Sequence, residues 1–589
     1  MSTEQEALAV AEAAREKNWK QSFLKELFLG SFKFDMISPF PSKPETAEFT
    51  RFFNGFKKFL YTKVNPAEID KTGEYPTDVI DGLRKLGAFG MKIPKEYGGL
   101  GFNQVEYDTI MKLLGSYDAN LTALLSAHQS IGAPQPLKMF GTEEQKQKYL
   151  PRLAAGSISA FALTEPEVGS DPSSMKSLVE RTNDGYTLNG KKLWCTNATL
   201  ADMIIVMAKH SDTGKISAFV VEMNSPGVVI EHRCRFMGLR ALSNAQLSFT
   251  NVFIPRENLV GNEGQGLKIA LATLNTGRLA IPAGAAGAVK KCLEFVRRWA
   301  NNRVQWGQSI GKHEAVSHMI TDIASHAFAM DAVADLGSNL ACDKNRDIRL
   351  EAAAAKEFNT FYGWKIIDDT MQIRGGRGYE TETSLEERGE LPMPVERMMR
   401  DFRINKIFEG SSEIMHLMIA REAVDKHMQV AGDLLNKKSS VWSKIKSIFK
   451  MAAFYTIWYP SKWIGWSHWP KFSKFGKLSK HLKFIDKNSR KLARSIFYGM
   501  LLNGPKLQYK QAFLFRIVDI ALDLYAMSAS LSRAESIHTN EANELAEAFC
   551  RTAEQRIKLR FKALWFNDDE KKRKVALKVL EGKHIWMEK

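Results

Sequence analysis

RMMRDFRINKIFEGSSEIMHLMIARE, residues 397–422, sets a glutamate at a corner of the chain. Apolar Ile404, Ile407 and Phe408 lead into Glu409; Gly410 then permits a turn, and Ser411 or Ser412 can cap the helix that follows. A carboxylate at such a corner, walled by Ile407, Phe408 and Ile414, would have its pKa raised by desolvation and could serve as a general base. The same residues equally describe a solvated glutamate just ahead of a helix, where the dipole favours an anion. Both readings stay open until the rest of the chain is read.

With 589 residues, 44% of them hydrophobic and 25% charged, the chain has the composition of a multi-domain globular protein. Its formal charge of +17 suits nucleic acid, a membrane surface or acidic substrates, so the location of that charge matters. Cys195, Cys234, Cys292, Cys342 and Cys550 are odd in number, far apart and without CxxC spacing, which argues against a disulfide framework or a zinc site and for a reducing compartment. The start, MSTEQEALAVAEAAREKNWK, carries Glu4, Glu6, Glu12 and Glu16, unlike a secretory signal or a transit peptide, so the expected location is cytoplasmic. No uninterrupted apolar run approaches the roughly 20 residues a spanning helix needs.

Taken in order, the texture changes five times. Residues 1–45 read as an arm broken by Pro39, Pro41 and Pro44, and residues 46–157 as an N-terminal helical domain interrupted at YGGLGF and IGAPQP. Residues 158–262 read as a β-domain, because GYTLNGKKLWCTN, ADMIIVMAK, ISAFVVEM and AQLSFTNVFIP are short β-branched and aromatic runs separated by Asn-Gly, Asp-Gly and Pro-Gly. Helical spacing returns over 263–432, with glycines and alanines between Ala283 and Ala288 that imply close helix packing. Residues 433–500 are basic and tryptophan-rich, and residues 501–589 form a further helical segment. The expected class is therefore α+β, multi-domain: helical domain, β-domain, a C-terminal four-helix-type bundle, then an additional helical domain.

Much of the charge lies between Lys437 and Arg494, where fifteen Lys and Arg face one acid, Asp486, and Trp442, Trp458, Trp463, Trp466 and Trp469 are interleaved. That composition describes an element in the interface of an anionic membrane, each basic residue adding about 1 kcal/mol. A basic linker that packs its aromatics on the protein's own surface has the same composition. Nucleic acid is set aside as a partner.

The common nucleotide, hydrolase and zinc motifs are missing, and His313, His318 and His326 have no metal-ligand spacing. What remains are TEPEVGSD (164–171), LWCTN (193–197), QIRGGRGYE (372–380) and the opening stretch. Singly these read as a surface turn, a hairpin strand end and a glycine loop. Together and in this order, with GRLAIPAGAAG and NNRVQWGQSIGKHEAVSHM, they resemble the acyl-CoA dehydrogenase family over about 45–430. FLFRIVDIALDLYAMSASLSRA and the SPFP arm look like its very-long-chain members, which carry a C-terminal extension.

The resemblance implies α,β-dehydrogenation of a long- or very-long-chain acyl-CoA to a trans-2-enoyl-CoA, with FAD as cofactor, Glu409 as the α-proton base and hydride passing to the flavin. It implies that Phe161, Leu163, Thr164 and Ser170 run along the flavin, that Trp194 covers it and that Thr196 bonds near its reactive nitrogen. Arg303, Trp306, His313, Gln372, Gly375 and Gly376 match positions at the adenine diphosphate, partly from a neighbouring subunit, and Gly410 and Ser411 complete the cofactor set. Ser170, Asn275, Arg278 and Glu409 match substrate positions. Some relatives carry their base where this chain has Gly277, which leaves Glu409 as sole base. An electron-transferring flavoprotein or similar acceptor and a homodimer or higher oligomer are implied. The expected location becomes peripheral, on the inner face of a membrane through 440–494, or the matrix face of a mitochondrion if the chain is eukaryotic and processed. Two rivals remain: an acyl-CoA oxidase, and a non-catalytic dehydrogenase-like scaffold for membrane assembly. Two departures from the family stand out, a lengthened link ETETSLEERGELPMPVERMMRD and the basic Arg374 and Arg377, read as phosphate-binding or solubilising.

Overall fold

The computed structural model describes residues 20–343, 345–435, 440–464 and 472–588, which fall into two compact units, one centred on Pro41–Ser412 and one formed by Ser22–Phe40 with the chain from Glu413 onward. The arm before residue 20 and the tryptophans Trp466 and Trp469 lie outside the described residues.

In the first unit, helix α1 (Ala47–Lys63) starts where the Thr46 hydroxyl accepts from Phe49 N. Helix α2 (Gln104–Tyr117) opens on a capping box between Asn103 and Glu106, which satisfies two otherwise orphaned N–H groups. Helix α3 (Ala119–Ser126), capped by Asp118, runs into a π-helical turn at Ala127–Ile131, a local widening that helices often adopt at functional sites. Phe49, Phe56, Leu60, Tyr107, Ile110, Leu114, Leu121 and Leu124 form the core of these helices.

An eight-stranded sheet follows: β1 (Ser159–Ala162), β2 (Leu178–Arg181), β3 (Gly185–Cys195), β4 (Met203–His210), β5 (Ile216–Glu222), β6 (Val228–Arg233), β7 (Ala245–Pro255) and β8 (Leu259–Val260), ordered β6-β7-β3-β2-β4-β5-β8, with β1 parallel to β4. Strand β4 is apolar on both faces because it serves two cores. Met203, Ile205 and Met207 pack with Leu137, Tyr149 and Leu153 of the helical layer. Ile204, Val206 and Ala208 pack with Leu188, Phe219 and Leu247 of the sheet.

Helices α4 (Gly266–Gly277), α5 (Ala280–Asn302), α6 (Glu314–Ala341) and α7 (Arg349–Arg374) return, with a two-strand hairpin, β9 (Val304–Gln305) and β10 (Gln308–Ser309), between α5 and α6. The small residues expected to allow close packing do so: a Cβ on Gly287 would fall inside contact distance of the Lys112 carbonyl on α2. Asn359 Nδ2 of α7 donates to Pro282 O of α5 (2.9 Å) and Met330 O of α6 (3.0 Å), locking three helices together.

The lengthened link is folded rather than loose. A short helix, Glu382–Glu387, and helix α8 (Val395–Phe402) are tied by Arg388–Glu380 (2.7 Å), Arg397–Glu382 and Arg400–Asp70 (2.7 Å). Arg377 takes Glu390 of the same link (2.8 Å), and Arg374 is buried over the Trp299 ring (5.1 Å). Arg374 also meets Met393 Sδ, so both arginines contact the link, a role the sequence reading did not consider.

The second unit begins with a short helix, Phe23–Phe28, capped by Ser22, so part of the arm is folded into it. Helix α9 (Ser412–Leu435) belongs to it beyond its first residue, with α10 (Val441–Ile464), α11 (Ser479–Asn503), α12 (Gln511–Ile537) and α13 (Asn540–Trp565). Helices α9 and α11 run through the boundaries expected at 432 and 500. Phe23 meets Tyr525 (6.3 Å), and buried Asp523 sits between Arg556 (2.7 Å) and Arg560.

On α10 one side is used internally. Trp458 is buried and donates Nε1 to Leu29 O (3.2 Å), and Lys462 Nζ reaches Gly30 O (3.1 Å). Val441, Trp442, Ile445, Ile448, Phe449, Ile457 and Ile464 are exposed along the same helix. No described helix is long and apolar enough to cross a membrane.

Candidate active site

Glu409 stands between a 3-10 turn, Arg403–Lys406, and the start of α9, and it takes a left-handed backbone (φ 52°) followed by Gly410 (φ 95°). Glycine adopts this freely; for a glutamate it costs about 1 kcal/mol, which the surroundings must offset. They do so with two buried cations. Arg278, between α4 and α5, donates Nε to Glu409 O (3.3 Å) and Nη1 to Asn275 Oδ1 (2.8 Å). Lys356 of α7, wholly buried, donates Nζ to Gly410 O (2.6 Å).

Glu409 is half-buried as a residue, but its Oε2 is enclosed and has no hydrogen-bond partner. Burial raises the Glu409 pKa above its ordinary value, partly opposed by the charges of Arg278 and Lys356. Burial in turn lowers Arg278 to about 10, against the pull of Glu409. Buried Tyr107 of α2, bonded to Ser130 Oγ (3.1 Å), lies close enough for the Glu409 charge to raise its phenol further, after burial. Of the expected walls, Ile407 is 52% exposed, while Phe408 and Ile414 are half-buried. Gly277 is pressed against Ile131 and Ser130 of the π-helical turn: a Cβ there would meet Ile131 Cγ2 at 2.8 Å.

A second group of residues lies on β1 and β3. Strand β3 carries one extra residue against β7 between Lys192 and Cys195, and this bulge turns Trp194 outward with a left-handed backbone (φ 55°) and 58% exposure. Thr196 Oγ1 accepts from Asn244 Nδ2 (3.1 Å), while the Asn244 and Asn197 side-chain oxygens are buried without partners. Phe161 and Leu163 are half-buried against the helix-side core, Thr164 O accepts from Leu193 N (2.9 Å), and Ser170 is exposed in the loop beyond. TEPEVGSD is less superficial than a surface turn: Glu165 is buried and takes Lys192 Nζ (2.8 Å), Lys176 N (2.6 Å) and Ser177 N (3.0 Å). That pair anchors the loop to β3.

The third group is elsewhere. Arg303 caps the far end of α5, Trp306 is 91% exposed on the hairpin, and His313 meets its ring edge-on (5.8 Å). Gln372, Gly375 and Gly376 are exposed at the end of α7, beside the Trp299 ring that Arg303, Arg374 and Arg377 approach. Gly375 (φ 62°, ψ −141°) has a backbone only glycine tolerates. Helix α5 is 23 residues long, so this group and Arg278 lie roughly 35 Å apart along its axis.

Sequence reasoning missed Lys356, Tyr107, Asn244 and the Glu165–Lys192 pair. Lys356 had a signal, being a lone cation after the alanine run 352–355, whereas Asn244 and Tyr107 become visible only when strands and helices are assembled.

Comparison with known proteins matches residues 46–157 to the acyl-CoA dehydrogenase N-terminal domain, 160–252 to the middle domain, 264–424 to the C-terminal domain and 477–585 to the ACAD9/ACADV C-terminal domain. The chain is 49% identical to the probable acyl-CoA dehydrogenase FadE10 of Mycobacterium tuberculosis over 100% of this chain and 92% of that protein. It is 32% identical to the mitochondrial very long-chain specific acyl-CoA dehydrogenase of Rattus norvegicus over 96% and 88%. Among solved structures, an acyl-CoA dehydrogenase complexed with FAD from Bacillus anthracis covers 94% of both chains at TM-score 0.76 and 26% identity.

Proposed function

The chain belongs to the acyl-CoA dehydrogenase family, and from that premise we propose that it converts a long- or very-long-chain acyl-CoA to the trans-2-enoyl-CoA in fatty-acid β-oxidation, with Glu409 as the base that takes the α-proton. The observation that carries this reading is the Glu409 carboxyl, its Oε2 buried and unpartnered and its pKa raised by burial. A base for a weakly acidic C–H gains strength from that environment. The Glu409 N–H, oriented by a backbone pinned at two successive carbonyls, is the donor suited to the thioester oxygen, where charge develops as the proton leaves.

The residues fit FAD. The buried, unpartnered oxygens of Asn244 and Asn197 beside Thr196, and the outward Trp194, form an edge whose polar groups are incomplete within the chain. Trp194 and Thr196 would hold the ring system, Phe161, Leu163 and Thr164 the same wall, Ser170 a phosphate, and Gly410 and Ser411 the side toward the base. When bound, FAD supplies the acceptor for the hydride that leaves the β-carbon.

Three finer parts belong to the proposal. Chain length is supported by the very-long-chain relative and, on the molecule, by small Ser126 and Ala127 where helix α3 passes into the π-helical turn. A homodimer is supported by the exposure of Trp306, Gln372, Gly375 and Gly376 at the far end of α5, roughly 35 Å along its axis from Arg278. Peripheral membrane attachment is supported by the exposed apolar stripe of α10, flanked by Lys444, Lys446 and Lys450. An electron-transferring flavoprotein or a similar acceptor would reoxidise the cofactor.

The test is flavin bleaching by palmitoyl-CoA. Wild-type protein is expected to bleach, and Glu409→Gln to do so about a thousandfold more slowly. A Gln variant of undiminished rate would sink the assignment.

A further inference from the structure

We infer that Lys356 is a positioning residue for this reaction: from beneath, its ammonium fixes the Glu409–Gly410 turn and sets the charge that the base faces. This rests on the reading of Glu409 as the base.

Lys356 follows four alanines on α7, and its side chain is wholly buried. An ammonium in that setting needs strong acceptors, because it has given up its hydration. One is Gly410 O at 2.6 Å. Together with Arg278 Nε on Glu409 O, this places a cation on each of two successive carbonyls, at the two residues whose backbone is left-handed. Helix α7 is a rigid platform for that contact, since Asn359, one turn on, bonds both α5 and α6. A turn held only from the Arg278 side could rotate about the Gly410 peptide and carry the carboxyl with it.

The electrostatics follow from the same geometry. The charged and titratable groups facing the Glu409 carboxyl are Arg278 at the α4–α5 corner, Lys356 of α7 and the neutral phenol of Tyr107 from α2. Burial pushes the carboxyl up, and the two cations hold it down. Without Lys356 only one of them remains, so the base would stay protonated to higher pH.

The experiment measures kcat against pH with palmitoyl-CoA on full-length, FAD-loaded protein, for wild type, Lys356→Gln, Lys356→Arg and Glu409→Gln, with Tm recorded for each. Gln keeps a donor for Gly410 O but loses the charge; Arg keeps the charge with a different reach. The acid limb of Lys356→Gln is expected to move up by about one pH unit, and that of Lys356→Arg to stay at the wild-type position with a lower plateau. Coincident limbs for Lys356→Gln and wild type, whatever the Tm, would overturn the inference, as would an Arg variant shifted as far as the Gln variant. If Lys356→Gln does not fold, the Arg limb decides, and its displacement from wild type by about one pH unit would overturn the inference. A fully active Glu409→Gln would instead overturn the base assignment.

Discussion

Glu409 is a residue whose backbone and side chain are both held in unfavourable states. Its left-handed turn is held by Arg278 and Lys356, which come from distant positions in the sequence, and the same two cations oppose the rise of its carboxyl pKa. The consequence for stability has a definite sign. A carboxyl whose folded pKa lies above its ordinary 4.5 binds its proton more tightly folded than unfolded, so stability falls as pH rises from that value through the raised one. Glu409→Gln removes this titration. The Tm of the Gln variant relative to wild type is expected to be higher at pH 8 than at pH 4; an offset independent of pH would show that the carboxyl is not held protonated by the fold. The turn and the glutamate were legible in EGSS, but the local run left burial undecided, because the groups that act on the carboxyl come from positions 107, 278 and 356. Gly277 was legible as an absent competitor. What the sequence did not disclose is that its missing side chain is also needed for packing against Ile131.

Single elements show the same division between local and assembled information. Helix α5 was readable from its alanines and glycines, since close packing leaves a compositional mark, and β4 from an unbroken apolar run. The bulge at Trp194 was not readable, because one extra residue in β3 is defined only against β7. Helix α10 lies between these cases. Its composition allowed both a membrane element and a self-packed linker, and the helix divides the two by face: Trp458 and Lys462 turn inward to Leu29 and Gly30, while Trp442, Phe449 and Ile457 stay exposed. Triple substitution of Trp442, Phe449 and Ile457 by Asp is therefore expected to abolish flotation with anionic vesicles and to leave palmitoyl-CoA oxidation in solution within about twofold of wild type, since none of the three is in the site. Flotation that persists would remove the proposed membrane role of this face.

For the molecule as a whole, the proposed flavin chemistry draws on residues at both ends of α5. The order of helical, β and helical segments was legible because each has its own hydrophobic period, and the family motifs lie one by one in this order. Oligomeric composition is a different kind of information: Trp306 on the exposed hairpin, with Arg303 before it and His313 after it, lies at the opposite end of α5 from Arg278. If each cofactor is held by the Glu409 side of one chain and the hairpin side of another, two defects in different chains can complement. Arg303→Glu is expected to lose FAD on its own, and Glu409→Gln to keep FAD but not turn over. Mixed and reassociated in equal amounts, they form hybrid dimers with one wholly native site and one doubly defective site, so activity should return to about a quarter of wild type. If both sets served a flavin within one chain, mixing would restore nothing, because each chain would still carry its own defect. Activity recovered on mixing, with FAD retained by half the sites of the hybrid, would thus separate a shared site from a self-contained one without a further structure.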